Sequence, residues 1–390
     1  MENIKYFFKN NIRQYGMLIA LIFITIFFQI MTNGILLVPM NVTNLILQNA
    51  YVFILAIGMT ITILTGGNID LSVGSVVAFI GAICGTLIIT MKVNVGIALF
   101  LAIAIGFIIG VWQGFWIAYI RIPAFIVTLA GMLLFRGLTI FMLKGLTINP
   151  FPEVFQKISS GFLPDLAKGA FGKYHSTAIL TGIAGTVIYI IYQVKRRASQ
   201  RRNGFDIMSF PLFLLQIILI SAFIMLFSIW LAAYKGLPVI FVIIGVLILA
   251  YSFFTNRTVP GRYLYFMGGN EKAARLSGIN TNKVLFFAYV NMGVLAAVAG
   301  IAYTARLNAA SPQSGLNFEL DAIAACFIGG ASAYGGIGTI IGSIIGALVM
   351  GVLNNGMSIL GIGSDVQQIV KGLVLLFAVA FDVLSKKKSR

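Results

Sequence analysis

NRTVPGRYLYFMGGNEKAARLSGINTNK, residues 256–283, is a charged, glycine-punctuated island between two long apolar runs. It is too polar to enter a bilayer and too short to be a domain. Within it, residues 270–278 carry the marks of one short helix. Asn270 reads as the N-cap, Glu271 lies in the first turn, Ala273, Ala274, Arg275 and Leu276 favour helix, and Gly278 stops it. A helix this short is marginal alone and must dock on something. Ala273, Ala274 and Leu276 offer a small apolar surface ringed by Glu271, Lys272 and Arg275, which suits a groove on a soluble partner. The chain therefore looks like the membrane half of a machine.

The rest of the composition agrees. Apolar residues make up 59% and charged residues 9% of the chain, and the mean hydropathy is +1.00. These values predict an all-α polytopic membrane protein whose main solvent is lipid. The net charge of +17 does not point to nucleic acid, because the positive residues fall in loops and tails rather than along one face. They read as topology signals. Cys84 and Cys326 lie inside apolar runs without a CxxC spacing, and His175 is the single histidine. Neither a disulfide framework nor a metal site is supported. The run from Tyr15 to Met31 follows Lys5, Lys9 and Arg13 and reads as a first span rather than a cleaved leader.

The candidate spans are 15–33, 42–65, 71–91, 94–118, 122–143, 176–194, 210–233, 237–255, 284–305, 319–333, 336–358 and 366–384. The expected total is 10 to 12 transmembrane segments, some broken or re-entrant, because 319–333 is short and glycine-rich and Gly66-Gly67 makes a tight break. The lysine and arginine distribution places both termini and the island in the cytoplasm. The resulting organisation is a cytoplasmic segment 1–14, a transmembrane domain 15–385 and a basic tail 386–390. Within the domain lie an external loop 144–175, a basic cytoplasmic loop 195–209 and the cytoplasmic island 256–283. No GxxxxGK[ST] phosphate loop is present, so any ATPase is a separate chain.

Several polar groups fall in or beside spans. Asp70 has two readings, a carboxylate that meets a polar solute or proton and a helix N-cap for the third span, and its position favours the cap. Arg136 and Lys371 read as snorkelling or as paired with a carboxylate such as Asp321 or Asp382. Glu319 and Asp321 open an apolar segment and also suit capping. Asn44, Gln48, Asn49, Asn354, Asn355, Gln367 and Gln368 either line a polar pathway or bond between helices. The glycines between 329 and 346 supply small residues for close packing of spans.

Residues 261–278, GRYLYFMGGNEKAARLSG, resemble the cytoplasmic coupling loop of the ribose, xylose and galactose type permease subunits of ATP-binding-cassette importers. TGGNIDLSVGS at 65–75, IPAFIVTLAGMLLFRGLT at 122–139, ARLNAASPQSG at 305–315 and ELDAIAACFIGGASAYGGIGTIIGSIIGA at 319–347 match in family order, as do NNGMSILGI and QQIVKGLVLL in the tail. The additional material from about 158 to 235 resembles the longer xylose and multiple-monosaccharide branch. The resemblance implies a non-enzymatic, multi-pass permease in a prokaryotic inner or plasma membrane. Its implied partners are a cassette ATPase with two fused nucleotide-binding domains that uses ATP and magnesium, an extracytoplasmic sugar-binding protein and a second permease copy. Residues Asn270, Glu271, Ala273, Ala274, Arg275, Leu276 and Gly278 then become ATPase-coupling positions, while the candidate pathway or capping positions are Asn44, Asn49, Asp70, Asp321 and Gln368. The rival reading is a secondary transporter of a small polar solute, driven by an ion gradient and needing an essential membrane carboxylate.

Overall fold

The computed structural model describes residues 12–167, 169, 171–205 and 209–387; side chains of 12–15, 381, 382 and 384–387 lie outside that description. Most of the segment 1–14, the tail residues 388–390 and the side chain of Asp382 therefore fall outside it. Among the described residues the regular structure is helical. In chain order the helices are α1 (Ile12–Met31), α2 (Pro39–Leu64), α3 (Val73–Gly85, extended by a π turn over Thr86–Thr90), α4 (Val95–Ala118) and α5 (Ala124–Leu143). There follow α6 (Glu153–Ser160), α7 (Ser176–Arg202), α8 (Phe210–Ala232), α9 (Val239–Arg257), α10 (Val259–Gly269) and α11 (Glu271–Leu276). The last four are α12 (Thr281–Leu307), α13 (Phe318–Ile328), α14 (Ile340–Ile359) and α15 (Ser364–Lys387).

Nine helices among the described residues are long and apolar enough to cross a membrane. Adding α1 and α15, which have the length, keeps the tally inside the expected range. The segment expected at 319–333 is not a full span. Its helix α13 has 11 residues, about 16 Å at 1.5 Å per residue, roughly half of a 30 Å hydrocarbon core. The break expected at Gly66-Gly67 is present, since residues 65–72 separate α2 from α3. The segment 195–209 is not a loop throughout. Helix α7 runs to Arg202, because lysine and arginine are good helix formers and are favoured at a C-terminus.

Contacts divide the chain into two units. The larger comprises 1–36, 45–160 and 240–390, and small residues set its packing. A Cβ on Gly293 of α12 would lie 2.3 Å from the Gly106 carbonyl of α4, and one on Gly346 of α14 would lie 1.9 Å from the Ala325 carbonyl of α13. Such backbone-to-backbone contact replaces the hydrophobic drive that lipid cannot supply. The segment 144–160 is ordered within this unit: Ile148 bridges to Ala310, the Phe151 amide donates to Asn308 Oδ1 at 2.8 Å, and Phe151 stacks on Phe155 at the start of α6.

The smaller unit comprises 37–44 and 161–239, and its main pair is α7 with α8. The start of α7 is tied by Asp165, whose carboxylate accepts from the Ser176 amide at 3.1 Å and from the Ser176 hydroxyl. The hydroxyl bond holds the Asp165 carboxyl below its ordinary range. Gly182 of α7 faces Ser228 of α8 with no room for a Cβ.

Candidate functional site

The island is more regular than the sequence suggested. It contains α10 as well as α11, and α10 begins where Thr258 accepts from the Gly261 amide, with Pro260 in the first turn. Those two start signals were present in the sequence. Helix α11 follows with Asn270 as N-cap, its Oδ1 accepting from the Ala273 amide at 3.0 Å. At the other end the Gly278 amide donates to the Arg275 carbonyl at 3.0 Å and the Ile279 amide to the Ala274 carbonyl at 3.1 Å, with Gly278 at φ +83°. This is a Schellman closure, and its left-handed φ at 278 favours glycine.

The helix docks, but not with the face expected. Ala274 is buried within the chain itself and Ile279 lies beside it, whereas Ala273 is exposed and Leu276 is 89% exposed. The surface offered outward is therefore Ala273 and Leu276, without Ala274. Arg121, in the short connection between α4 and α5, orients the island. It donates to Glu271 Oε1 at 2.8 Å, to Thr281 Oγ1 at 3.2 Å and to Asn282 Oδ1. Arg275 lies 3.7 Å from the same Glu271 oxygen. Beneath these polar ties, Met267 of α10 packs with Ile117, Ala118, Ala124, Val127, Leu285 and Tyr289.

Behind the island three glycine pairs meet. A Cβ on Gly268 would lie 1.8 Å from the Leu64 carbonyl and 2.4 Å from the Gly336 amide nitrogen; one on Gly67 would lie 2.0 Å from the Ala333 carbonyl; one on Gly335 would lie 2.4 Å from the Gly66 Cα. The Gly336 amide donates to the Leu64 carbonyl at 3.1 Å, and the Tyr265 hydroxyl donates to the Gly338 carbonyl at 3.0 Å. The end of α2, the end of α10 and the segment between α13 and α14 are thus in backbone contact.

Asp70 is not the N-cap of α3; Ser72 holds that position. Asp70 is buried and accepts from the Ser72 amide at 2.8 Å and the Ser72 hydroxyl at 2.6 Å, while Ser72 Oγ accepts from Gln113 Nε2 at 2.6 Å. The carboxylate fixes the turn that precedes the helix, whose cap lies two residues later than the sequence suggested. Arg136 donates to the Pro312 and Ser314 carbonyls at 2.9 and 2.7 Å, so backbone oxygens take the place expected for a carboxylate. Lys371 pairs with Asp321, at 3.0 Å from Oδ1 and 3.2 Å from Oδ2, and Tyr51 donates to Oδ2 at 2.8 Å.

Around that pair lies an aromatic group that sequence reasoning missed. Tyr51 stacks on Phe318 at 3.7 Å between centroids, and Tyr303 stands edge-on to both. Beside it is a cavity of about 270 Å³ between α2 and α12, lined by Gln48, Tyr51, Tyr303 and Arg306 with Leu47 and Leu307. The i, i+3, i+4 spacing of 303, 306 and 307 was the available signal. Among the other candidates, Asn49 is buried and bonds the Leu45 carbonyl at 2.8 Å and Asn354 at 3.4 Å. Asn44 is half-buried and Gln368 is exposed, and the structure does not bring either into this group.

Breaking the ion pair should be costly. Lys371→Met leaves Asp321, 2% exposed in its side chain, with an uncompensated charge, and the expected loss of stability is about 3–5 kcal/mol. Thermal unfolding of the purified protein should show a large drop for Lys371→Met and a partial return when Asp321→Asn is added.

Residues 41–379 match the family described as branched-chain amino acid transport system / permease component. The chain belongs to this family. The xylose transport system permease protein XylH of Haemophilus influenzae is 38% identical over 384 residues, covering 97% of this chain and 98% of the relative. XylH of Escherichia coli K12 is 37% identical over 380 residues, covering 97% and 94%. The ribose import permease protein RbsC of Bacillus subtilis is 36% identical over 375 residues, covering 94% and 91%. No solved structure matches the chain. Membership makes the protein a multi-pass transport component rather than an enzyme, and it gives the docked island and the polar cavity a transport context.

Proposed function

We propose that this protein is the membrane-spanning permease subunit of an ATP-driven importer for a monosaccharide, xylose or several sugars, delivered by an extracytoplasmic binding protein. The observation that carries this reading is the nearly full-length similarity to xylose permeases, joined to a self-docked island that presents Leu276 outward. The family description names branched-chain amino acids, but the full-length relatives named above are sugar permeases, which favours a sugar.

The ATPase is proposed to be a separate chain with two fused nucleotide-binding domains, using ATP and magnesium, beneath a pair of permease copies. Helix α11 would seat in it. Its ties to Arg121 and the contact of Gly268 with the end of α2 make the island a lever, so that ATPase closure tilts the membrane helices as rigid bodies. A secondary transporter is less well supported, since Asp321 is neutralised by Lys371 and Asp70 is engaged with Ser72.

Reconstitution in liposomes with the ATPase and binding protein tests the reading. Uptake of labelled xylose, arabinose, glucose or galactose should require all three components and ATP. Transport by the permease alone on an ion gradient would refute it.

The proposed orientation, with both termini cytoplasmic in an inner membrane, makes a separate expectation. A cysteine at the exposed position Ser199 of α7 should be shielded from an impermeant external thiol reagent in intact cells, and one at the 67% exposed Val154 of α6 should react. The native Cys84 and Cys326 are buried, so background labelling should be low. The reverse pattern would invert the topology.

A further inference from the structure

We propose that the cavity between α2 and α12 is a transit site for the uncharged ring form of a sugar, held by Gln48, Tyr303 and Arg306 and kept in shape by Tyr51. The inference rests on the importer reading above. Its volume, about 270 Å³, lies just below the roughly 300 Å³ at which small-ligand clefts begin. It has the mixed lining such clefts use, aliphatic and aromatic walls with few polar groups.

The polar groups are of the right kind. Arg306 Nε is buried with no hydrogen-bond partner among the described residues, an unusual state for a donor that is always charged. A sugar hydroxyl oxygen would satisfy it. Gln48 is exposed, and while its Oε1 accepts from Asn355 Nδ2 at 3.5 Å, its Nε2 donors remain for a sugar hydroxyl oxygen. Tyr303 offers a ring face to the C–H side of a pyranose. Tyr51 is a positioning residue: its hydroxyl is committed to Asp321 and its ring to Phe318.

The adjoining carboxylate does not compete for the sugar. Asp321 is committed to Lys371 and Tyr51, so the cavity keeps a donor-rich lining without a free acid. With the orientation proposed above, α2 enters from the outer side, and residues 47–51 and 302–307 lie in the outer half of the membrane. That is the place for a ligand newly released by a binding protein. Few hydrogen bonds and a loosely fitting wall suit a site that must let go.

The test uses the reconstituted importer and the purified permease in parallel. In liposomes, Arg306→Gln should lower sugar transported per ATP hydrolysed about ten-fold, the effect of one charge-assisted hydrogen bond, and Tyr303→Leu should lower it through the lost ring face, while ATP hydrolysis stimulated by the binding protein stays near the wild-type rate. Arg306→Lys should recover part of the loss. In the permease alone, a cysteine placed as Gln48→Cys should react with a thiol reagent, and xylose or glucose should slow that reaction more than the corresponding sugar acid does.

Absence of protection by neutral sugar would overturn the assignment. Stronger protection by the sugar acid would overturn its neutral-ring part, and uptake and hydrolysis falling together in every variant would show these residues to be structural. Should the wild-type complex take up no sugar at all, the importer reading itself fails, and the protection experiment separately decides whether the cavity binds a sugar.

Discussion

Gly268→Ala should abolish stable insertion of the permease, while Gly269→Ala beside it should be tolerated. A methyl group at 268 would lie 1.8 Å from the Leu64 carbonyl and 2.4 Å from the Gly336 nitrogen, both backbone atoms, whereas one at 269 would meet nothing within 4 Å. Ordinary overpacking costs about 1–3 kcal/mol because side chains move aside. Here three chain segments would have to separate, and the Gly336-to-Leu64 hydrogen bond would be lost with them. The cost should exceed that range and take up much of the stability of the fold. Membrane abundance and the thermal midpoint of the purified protein measure it. Equal behaviour of the two variants would show that the glycine contacts relax readily and do not hold the island to α2.

Leu276→Asp should leave the permease folded and sever it from its ATPase. The side chain is 89% exposed on α11, makes no contribution to the core, and is held in place by a helix closed at both ends. A large apolar group presented this way on a docked helix has the character of an interface anchor, and such anchors cost 2 kcal/mol or more when removed, roughly thirty-fold in affinity. A buried aspartate should cost more. Co-purification with the ATPase should therefore fail for Leu276→Asp, with an unchanged thermal midpoint for the permease alone. Normal co-purification would mean that the partner surface lies elsewhere on the island. The outcome bears on Ala274 as well: because its side chain packs within its own chain, its replacement should act through docking of α11 rather than through the partner.

The two experiments probe one lever from opposite ends. Arg121 and the buried cluster under Met267 join the island to α4, α5 and α12, and the glycine contacts join it to α2 and the segment after α13. Under the proposed coupling, movement imposed at Leu276 would reach the helices that border the cavity.

The α11 helix was legible because its signals are local. Asn270 and Gly278 act within a few residues of their own positions, so capping chemistry identifies them without tertiary information. Helix α10 was equally available from Thr258 and Pro260 but was obscured by the glycines at its end. The pairing of Lys371 with a carboxylate followed from the cost of an isolated charge, although the choice of Asp321 over Asp382 did not. Tyr51, Tyr303 and Arg306 were not found, since tyrosine and arginine in apolar helices are common at membrane interfaces and acquire meaning only when α2 and α12 lie together.

By itself the sequence determined that the chain crosses a membrane many times, where most of its helices begin and end, and which family it belongs to, because lipid forces backbone hydrogen bonds to close within each segment. Only the tertiary structure decided which apolar helices face protein. Helix α2 is almost wholly buried and α8 almost wholly exposed, yet both are apolar enough to span a membrane, because hydrocarbon outside a membrane protein and side chains inside it both accept apolar groups. The glycine contacts and the cavity depend on that choice of neighbours, and no local pattern encodes it.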